Sequence, residues 1–217
     1  MLLKAERKLI VEYGKKLLDS GLTKGTGGNI SICNKDKGLM AMSPSGMNYY
    51  EIKPKDIVVM DLTGKVVDGR RKPSVEHSMH RIFYTDRQDI NAVVHTHSVA
   101  CSTMAALHWE LPASNYLVAF SGDTKVPCTP YETFATKELA KAALKTMGKG
   151  YACFLGNHGF LAASSNVEMA FTIAEEIEHC AEIYLRAKSV GKPKIIPDEK
   201  MMELFEMFKA YGQGEKK

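Results

Sequence analysis

The chain has 217 residues, 45% of them hydrophobic, enough to bury one substantial core and without a feature that demands two. Its 29 Lys+Arg against 25 Asp+Glu leave a formal charge of +4, with no basic block or basic–aromatic interleave, so composition points to no nucleic-acid partner. Five cysteines (Cys33, Cys101, Cys128, Cys153 and Cys180) are odd in number and form no C-x-x-C pair, the usage of reduced thiols in a cytosol.

Residues 1–8 carry charge of both signs too early for a signal sequence, and no later apolar run approaches a membrane span, which predicts a soluble, cytoplasmic protein. Leu9, Ile10, Tyr13, Leu17 and Leu18 fall at helical spacing, and Gly21 stands where a left-handed residue ends such a helix. A glycine-rich segment, Gly25-Thr26-Gly27-Gly28-Asn29, leads into a strand over 29–33, and a second strand over 39–42 runs into Ser43-Pro44-Ser45-Gly46. Residues 57–61 and 65–67 flank Thr63-Gly64 as a hairpin. The next helix is predicted to begin at Ser74, whose hydroxyl can cap it, with Val75, Met79, Ile82 and Phe83 as its buried stripe and Glu76 in its first turn.

The apolar run Asn91-Ala92-Val93-Val94 predicts a strand ending at His95-Thr96-His97, followed by a helix over 98–107 and a polar, tyrosine-containing stretch over 111–126. A helix over 137–147 comes next, then strands over 151–155 and 160–163 around Gly156-Asn157-His158-Gly159. A long helix over 166–190 is closed by Gly191, Asp198 caps a last helix to about residue 210, and residues 212–217 read as a flexible tail. Several strand connections are too short for crossover helices, so a single domain with a largely antiparallel sheet covered by helices is expected.

In a strand, side chains two apart share a face, so His95 and His97 can reach one divalent metal, with His158 as a third nitrogen. Glu76 offers an oxygen at a helix start, where the positive end of the dipole favours a carboxylate. Three imidazoles and one removable carboxylate describe a catalytic metal site, whereas a structural zinc site would usually be closed by cysteines. Glu175 and His179 also have ligand spacing, but Glu176, Glu178 and Glu182 around them indicate a solvated helix face. His77, His80 and His108 lack partners at ligand spacing and read as structural or surface positions, His80 nearest the site because it is one turn beyond Glu76. Neither glycine-containing loop matches a P-loop or a dinucleotide fingerprint; with Ser74 they could compose a phosphate cradle, while ordinary turn chemistry also suits them.

The segments Gly25-Thr26-Gly27-Gly28-Asn29-Ile30-Ser31, Ser43-Pro44-Ser45-Gly46, Pro73-Ser74-Val75-Glu76, Val94-His95-Thr96-His97-Ser98, Val126-Pro127-Cys128, Asn157-His158-Gly159 and Phe208-Lys209-Ala210-Tyr211-Gly212 carry a further signal. Through them nearly the whole chain resembles the class II aldolase/adducin superfamily. The resemblance implies an α/β protein, a three-layer α/β/α sandwich with a mostly antiparallel central sheet. It also implies Zn2+ held by His95, His97 and His158 with Glu76 as a movable fourth ligand, in a homotetramer with sites at subunit boundaries. By the same resemblance the substrate phosphate rests on Thr26, Asn29, Ser45, Gly46 and Ser74. Glu76, Tyr116 and Tyr211 would be catalytic, the two tyrosines arriving from a neighbouring subunit.

The implied activity is that of a zinc-dependent aldehyde-lyase cleaving L-fuculose 1-phosphate, or a related ketose 1-phosphate, reversibly to dihydroxyacetone phosphate and L-lactaldehyde. A pentulose-phosphate 4-epimerase and a methylthioribulose-1-phosphate dehydratase are the alternatives, and a non-catalytic adducin-like module is a third. The epimerases tend to carry aspartate at the position of Glu76 and another within the segment matching 116–121, which here contains no acid, although Asp123 lies just beyond. One departure stands out: the aldolases usually read Pro-Ser-Ser-Glu, and Val75 removes one hydroxyl from the implied phosphate cradle.

Overall fold

The short connections between strands resolve into a seven-stranded sheet in which every strand pairs antiparallel with its neighbours. The structure, a computed structural model, describes residues 1–209. Tyr211, the helix end expected near residue 210 and the tail expected over 212–217 lie outside the described residues. The strands are β1 (Asn29–Asn34), β2 (Leu39–Met42), β3 (Val58–Asp61), β4 (Val66–Asp68), β5 (Ala92–Thr96), β6 (Leu111–Pro112), β7 (Lys125–Val126), β8 (Ala152–Leu155) and β9 (Gly159–Ser164). Their order across the sheet is β4-β3-β2-β1-β5-β9-β8, while β6 and β7 pair separately.

Among the described residues six α-helices accompany them: α1 (Lys4–Asp19), α2 (His77–Asp86), α3 (Val99–Ala106), α4 (Lys137–Met147), α5 (Val167–Val190) and α6 (Asp198–Lys209). The period-two alternation of the strands divides the buried residues into two layers. Ile30, Ile32, Val94, Phe154, Phe160 and Ala162 face Leu17 of α1, Met104 of α3 and Ile177 of α5. On the opposite face Met40, Met42, Met60, Val93 and Leu161 pack against Met79 and Phe83 of α2 and Leu139 and Met147 of α4. The result is the three-layer α/β/α sandwich with an antiparallel centre. Each fully buried Leu or Phe contributes roughly 1.5–3 kcal/mol relative to exposure. Among the described residues no helix is long and apolar enough to cross a membrane.

The largest departure from expectation is the start of α2. Ser74 does not cap it; the helix begins at His77 with Glu76 at its N-cap position. The cause is tertiary. Ser74 N–H donates to Ser43 O at 3.0 Å, and Pro73 bridges Pro44, so the chain remains extended there until Ser74. The Ser74 hydroxyl accepts from Glu76 N–H at 3.3 Å instead of capping a turn further on. Val75 therefore precedes the helix and is 53% exposed, not part of a buried stripe. At the histidine strand β5 ends at Thr96, leaving His97 just beyond it.

Candidate metal centre

β5 lies between β1 and β9, with Asn29 opposite His95 and Phe160 opposite Thr96. His95 is wholly buried, and its Nδ1 is 2.8 Å from the Phe160 carbonyl oxygen. A carbonyl oxygen only accepts, so the proton sits on Nδ1 and Nε2 presents a lone pair. That lone pair lies 2.8 Å from His97 Nε2. His158, in the turn between β8 and β9, completes the cluster: one nitrogen from each ring lies within 4.8 Å of the others. Glu76 bridges from the far side, with Oε2 3.4 Å from His95 Nε2 and Oε1 3.3 Å from His158 Nε2.

Burial pushes His95 well below the ordinary histidine range, and the neighbouring His97 and His158 push the same way. His97 and His158 are also lowered by burial, with Glu76 opposing in each case. All three are held toward the neutral form, the one that ligates metal. Facing lone pairs at this spacing repel unless a proton or a cation lies between them, and the buried His158 Nδ1 has no hydrogen-bond partner among the described residues. Three convergent imidazole nitrogens with one carboxylate fit a divalent cation that keeps an open position for substrate.

Close backbone approach holds the histidines in place. A Cβ on Gly159 would stand 2.5 Å from the Thr96 carbonyl oxygen and 2.8 Å from His97 Cδ2, and one on Gly28 would stand 2.7 Å from the His95 carbonyl oxygen. Only glycine permits both approaches. Tyr49 secures the glycine loop from behind, its hydroxyl donating to Gly28 O at 2.9 Å.

The other expected site residues divide into two groups. Asn29 and Ser74 are buried, and Asn29 Nδ2 donates to Glu76 Oε2 at 2.9 Å, so this amide holds the carboxylate. Thr26, Ser45 and Gly46 are exposed, though Ser45 N–H donates to Lys72 O at 2.9 Å, which joins the loop over 43–46 to the segment preceding Glu76. Tyr116 is 52% exposed at the start of a short 3-10 helix, Tyr116–Ser121, and does not line the cleft over the histidines. That cleft, of about 340 Å³, is walled by Val75, Tyr131, Glu132 and Phe134 together with Glu76, His97, Asn157 and His158. The segment over 131–134 escaped sequence reasoning because it has no periodicity; its one signal was two aromatics in an otherwise polar connection.

His80 lies wholly buried with its Nδ1 2.8 Å from Ser31 Oγ, which in turn is 2.5 Å from the Tyr84 hydroxyl. Burial pushes its imidazole down to about 3. Glu178 corrects an expectation: it is half-buried and accepts backbone hydrogen bonds from α3, whereas Glu175 and His179 do face solvent.

Residues 8–185 match the profile of the class II aldolase and adducin N-terminal domain. The chain belongs to that family. It is 57% identical over 213 residues to a 5-deoxy-D-ribulose 1-phosphate aldolase of Bacillus thuringiensis serovar kurstaki, covering 98% of this chain and all of that one. It is 36% identical to the L-fuculose phosphate aldolase of Escherichia coli strain K12, covering 94% of each chain. A solved L-fuculose 1-phosphate aldolase superposes with a TM-score of 0.92 at 47% identity, over 94% of this chain and 96% of that one. As a class II aldolase the protein is a lyase, and its histidine cluster matches the metal dependence of that class.

Proposed function

We propose that the protein cleaves a terminally deoxygenated ketose 1-phosphate between C3 and C4, reversibly, to dihydroxyacetone phosphate and a small aldehyde. The best substrate is 5-deoxyribulose 1-phosphate, whose aldehyde product is acetaldehyde. The observation that carries this reading is the apolar wall of Val75, Tyr131 and Phe134 beside His97, His158 and Glu76, which suits an aldehyde ending in a methyl group. It agrees with the 57% identical relative. L-Fuculose 1-phosphate, which would give L-lactaldehyde, is the second reading, favoured by the 47% identical structural relative.

Zinc is the metal best suited to three imidazoles and a carboxylate, and when bound it supplies Lewis-acid stabilisation of the negative charge that develops on the substrate oxygens as the bond breaks. His95, His97 and His158 hold it, each with one ring nitrogen. Glu76 moves the proton at C3: its carboxylate sits beside the metal-facing nitrogens, and Asn29 orients it without protonating it. The substrate phosphate is taken by the exposed donors of Thr26, Ser45 and Gly46 with Asn29 and Ser74, where positive-φ glycines leave room for an anion. Tyr116, with Tyr211, completes the site from a neighbouring subunit of a homotetramer and exchanges a proton with the aldehyde oxygen.

The test is release of dihydroxyacetone phosphate, read by a coupled reductase, from 5-deoxyribulose 1-phosphate, L-fuculose 1-phosphate and L-ribulose 5-phosphate. The highest kcat/KM is expected on the first. Epimerisation of L-ribulose 5-phosphate without cleavage of either ketose 1-phosphate would overturn the assignment.

A further inference from the structure

Helix α3 starts two residues after His97 and ends against the turn that carries His158. Both of its ends are held by side chains from outside the metal centre. At the start, Ser98 supplies no side-chain cap, and the free N–H groups of Ala100 and Cys101 are taken by the two carboxylate oxygens of Glu178, each at 2.8 Å, reaching across from α5. Such a bidentate clamp on the first turn combines charge-assisted hydrogen bonds with the positive end of the helix. His97 is joined to that turn through Ser98 alone, and its own N–H donates to Leu22 O at 3.1 Å.

At the other end, His108 has a left-handed backbone (φ 51°), and its Nε2 is 2.5 Å from Asn157 Oδ1. Asn157 is also left-handed (φ 54°), and its N–H donates to Ala105 O of the same helix at 3.0 Å. A left-handed conformation costs residues with a Cβ more than glycine, though less for Asn and His than for most, and contacts on both sides hold it here. The His108 ring also lies on the turn itself: a Cβ on Gly156 would stand 2.8 Å from His108 Cε1. The residue after Asn157 is the ligand His158.

We infer that α3 is a brace between two metal-ligand loops, with Glu178 and His108 as positioning residues that set His97 and His158 at ligating separation. This rests on the metal reading of the histidine cluster. The His108 contact is exposed, so it adds little to global stability while aiming the ligand beside it.

The experiment measures zinc affinity by chelator competition and thermal unfolding of the metal-free protein, for the wild type, His108→Ala, His108→Gln and Glu178→Gln. His108→Ala is expected to weaken zinc binding by about 10-fold or more, as loss of a group supporting a ligand does. Its metal-free Tm should fall by less than about 3 °C. His108→Gln, whose amide nitrogen can replace Nε2 as donor to Asn157, should bind zinc within about 3-fold of wild type. Glu178→Gln, which retains a neutral acceptor and should still fold, is expected to weaken zinc by about 10-fold as well. Wild-type zinc affinity in both His108→Ala and Glu178→Gln overturns the brace, as does a loss of affinity that His108→Gln does not restore. A wild type that binds no zinc refutes the metal reading itself, a result distinct from either of these.

Discussion

The two faces of the sheet are equally buried and differently built. Under α1, α3 and α5 the central strands present an almost unbroken apolar layer, from Ile30 and Ile32 on β1 through Val94 to Phe154 and Phe160, with Thr96 and Ser164 as polar exceptions at strand ends. Under α2 and α4 the same strands interrupt a methionine-rich core with Asn29, Ser31 and His95, and α2 answers with Glu76, His80 and Tyr84. A buried polar group is costly unless it is paired, and the second face pairs these residues in two groups, Asn29 and His95 with Glu76, and Ser31 with His80 and Tyr84. The paired polar side chains of the metal centre thus lie on one side of the sheet and an apolar layer on the other, from which α3 reaches the ligand loops, and substitutions within the strands can separate the two.

The largest effect belongs to the polar face. His97→Ala should lower metal content from about one zinc per chain to near zero, because two remaining nitrogens are too few for a tight site. Stoichiometric metal in that variant, measured by elemental analysis, would remove His97 from the ligand set. Glu76→Gln should keep the metal and lose about 10²–10⁴-fold in turnover, the range for a positioned proton-transfer group, or roughly 3–5 kcal/mol of barrier. Near-normal turnover in the metal-loaded variant would reduce Glu76 to a ligand.

Phe154→Ala probes the apolar face. It should destabilise the fold by about 3–5 kcal/mol, seen as a shift in denaturant midpoint, while KM and metal affinity of the folded fraction stay near wild type. A large rise in KM would show that the two faces are coupled. The smallest effect is a slope. His80 is pushed down to about 3 by burial first and by His95 next, so its imidazole is neutral when folded while the unfolded chain takes up a proton near the ordinary value of 6.5. Its contribution is complete above 6.5 and is lost as pH falls from there toward 3, at most about 1.4 kcal/mol per pH unit. His95, His97 and His158, lowered in the same direction, share that acid limb in metal-free protein. Metal-free His80→Gln should therefore show a flatter, not flat, fall in stability between pH 6.5 and 4, and an unchanged slope would show that His80 takes a proton in the folded state.

Much was legible along the chain because the signals were local. Helical spacing of Ile10, Tyr13 and Leu17 marked α1, the strand over 39–42 was bounded correctly at both ends, and connections too short for crossovers implied the antiparallel sheet. The pair His95 and His97 with His158 was visible as spacing and residue type, since a strand places alternate side chains together whatever surrounds it. Pairing across long separations was not. Only the order β1-β5-β9 sets Asn29 beside His95, and only the bridge of Pro44 to Pro73 delays α2 until Glu76 becomes its N-cap residue, exposing Val75 to the cleft. Glu178 reads in sequence as one of several acids on a solvated helix, and His108 as a structural or surface histidine without a partner at ligand spacing; each finds its partner more than 40 residues away. Periodicity and capping act over a few residues and can be read in order, whereas which distant groups meet is decided by the burial of the whole chain, and that is where the cleft walls and the brace behind the histidines were settled.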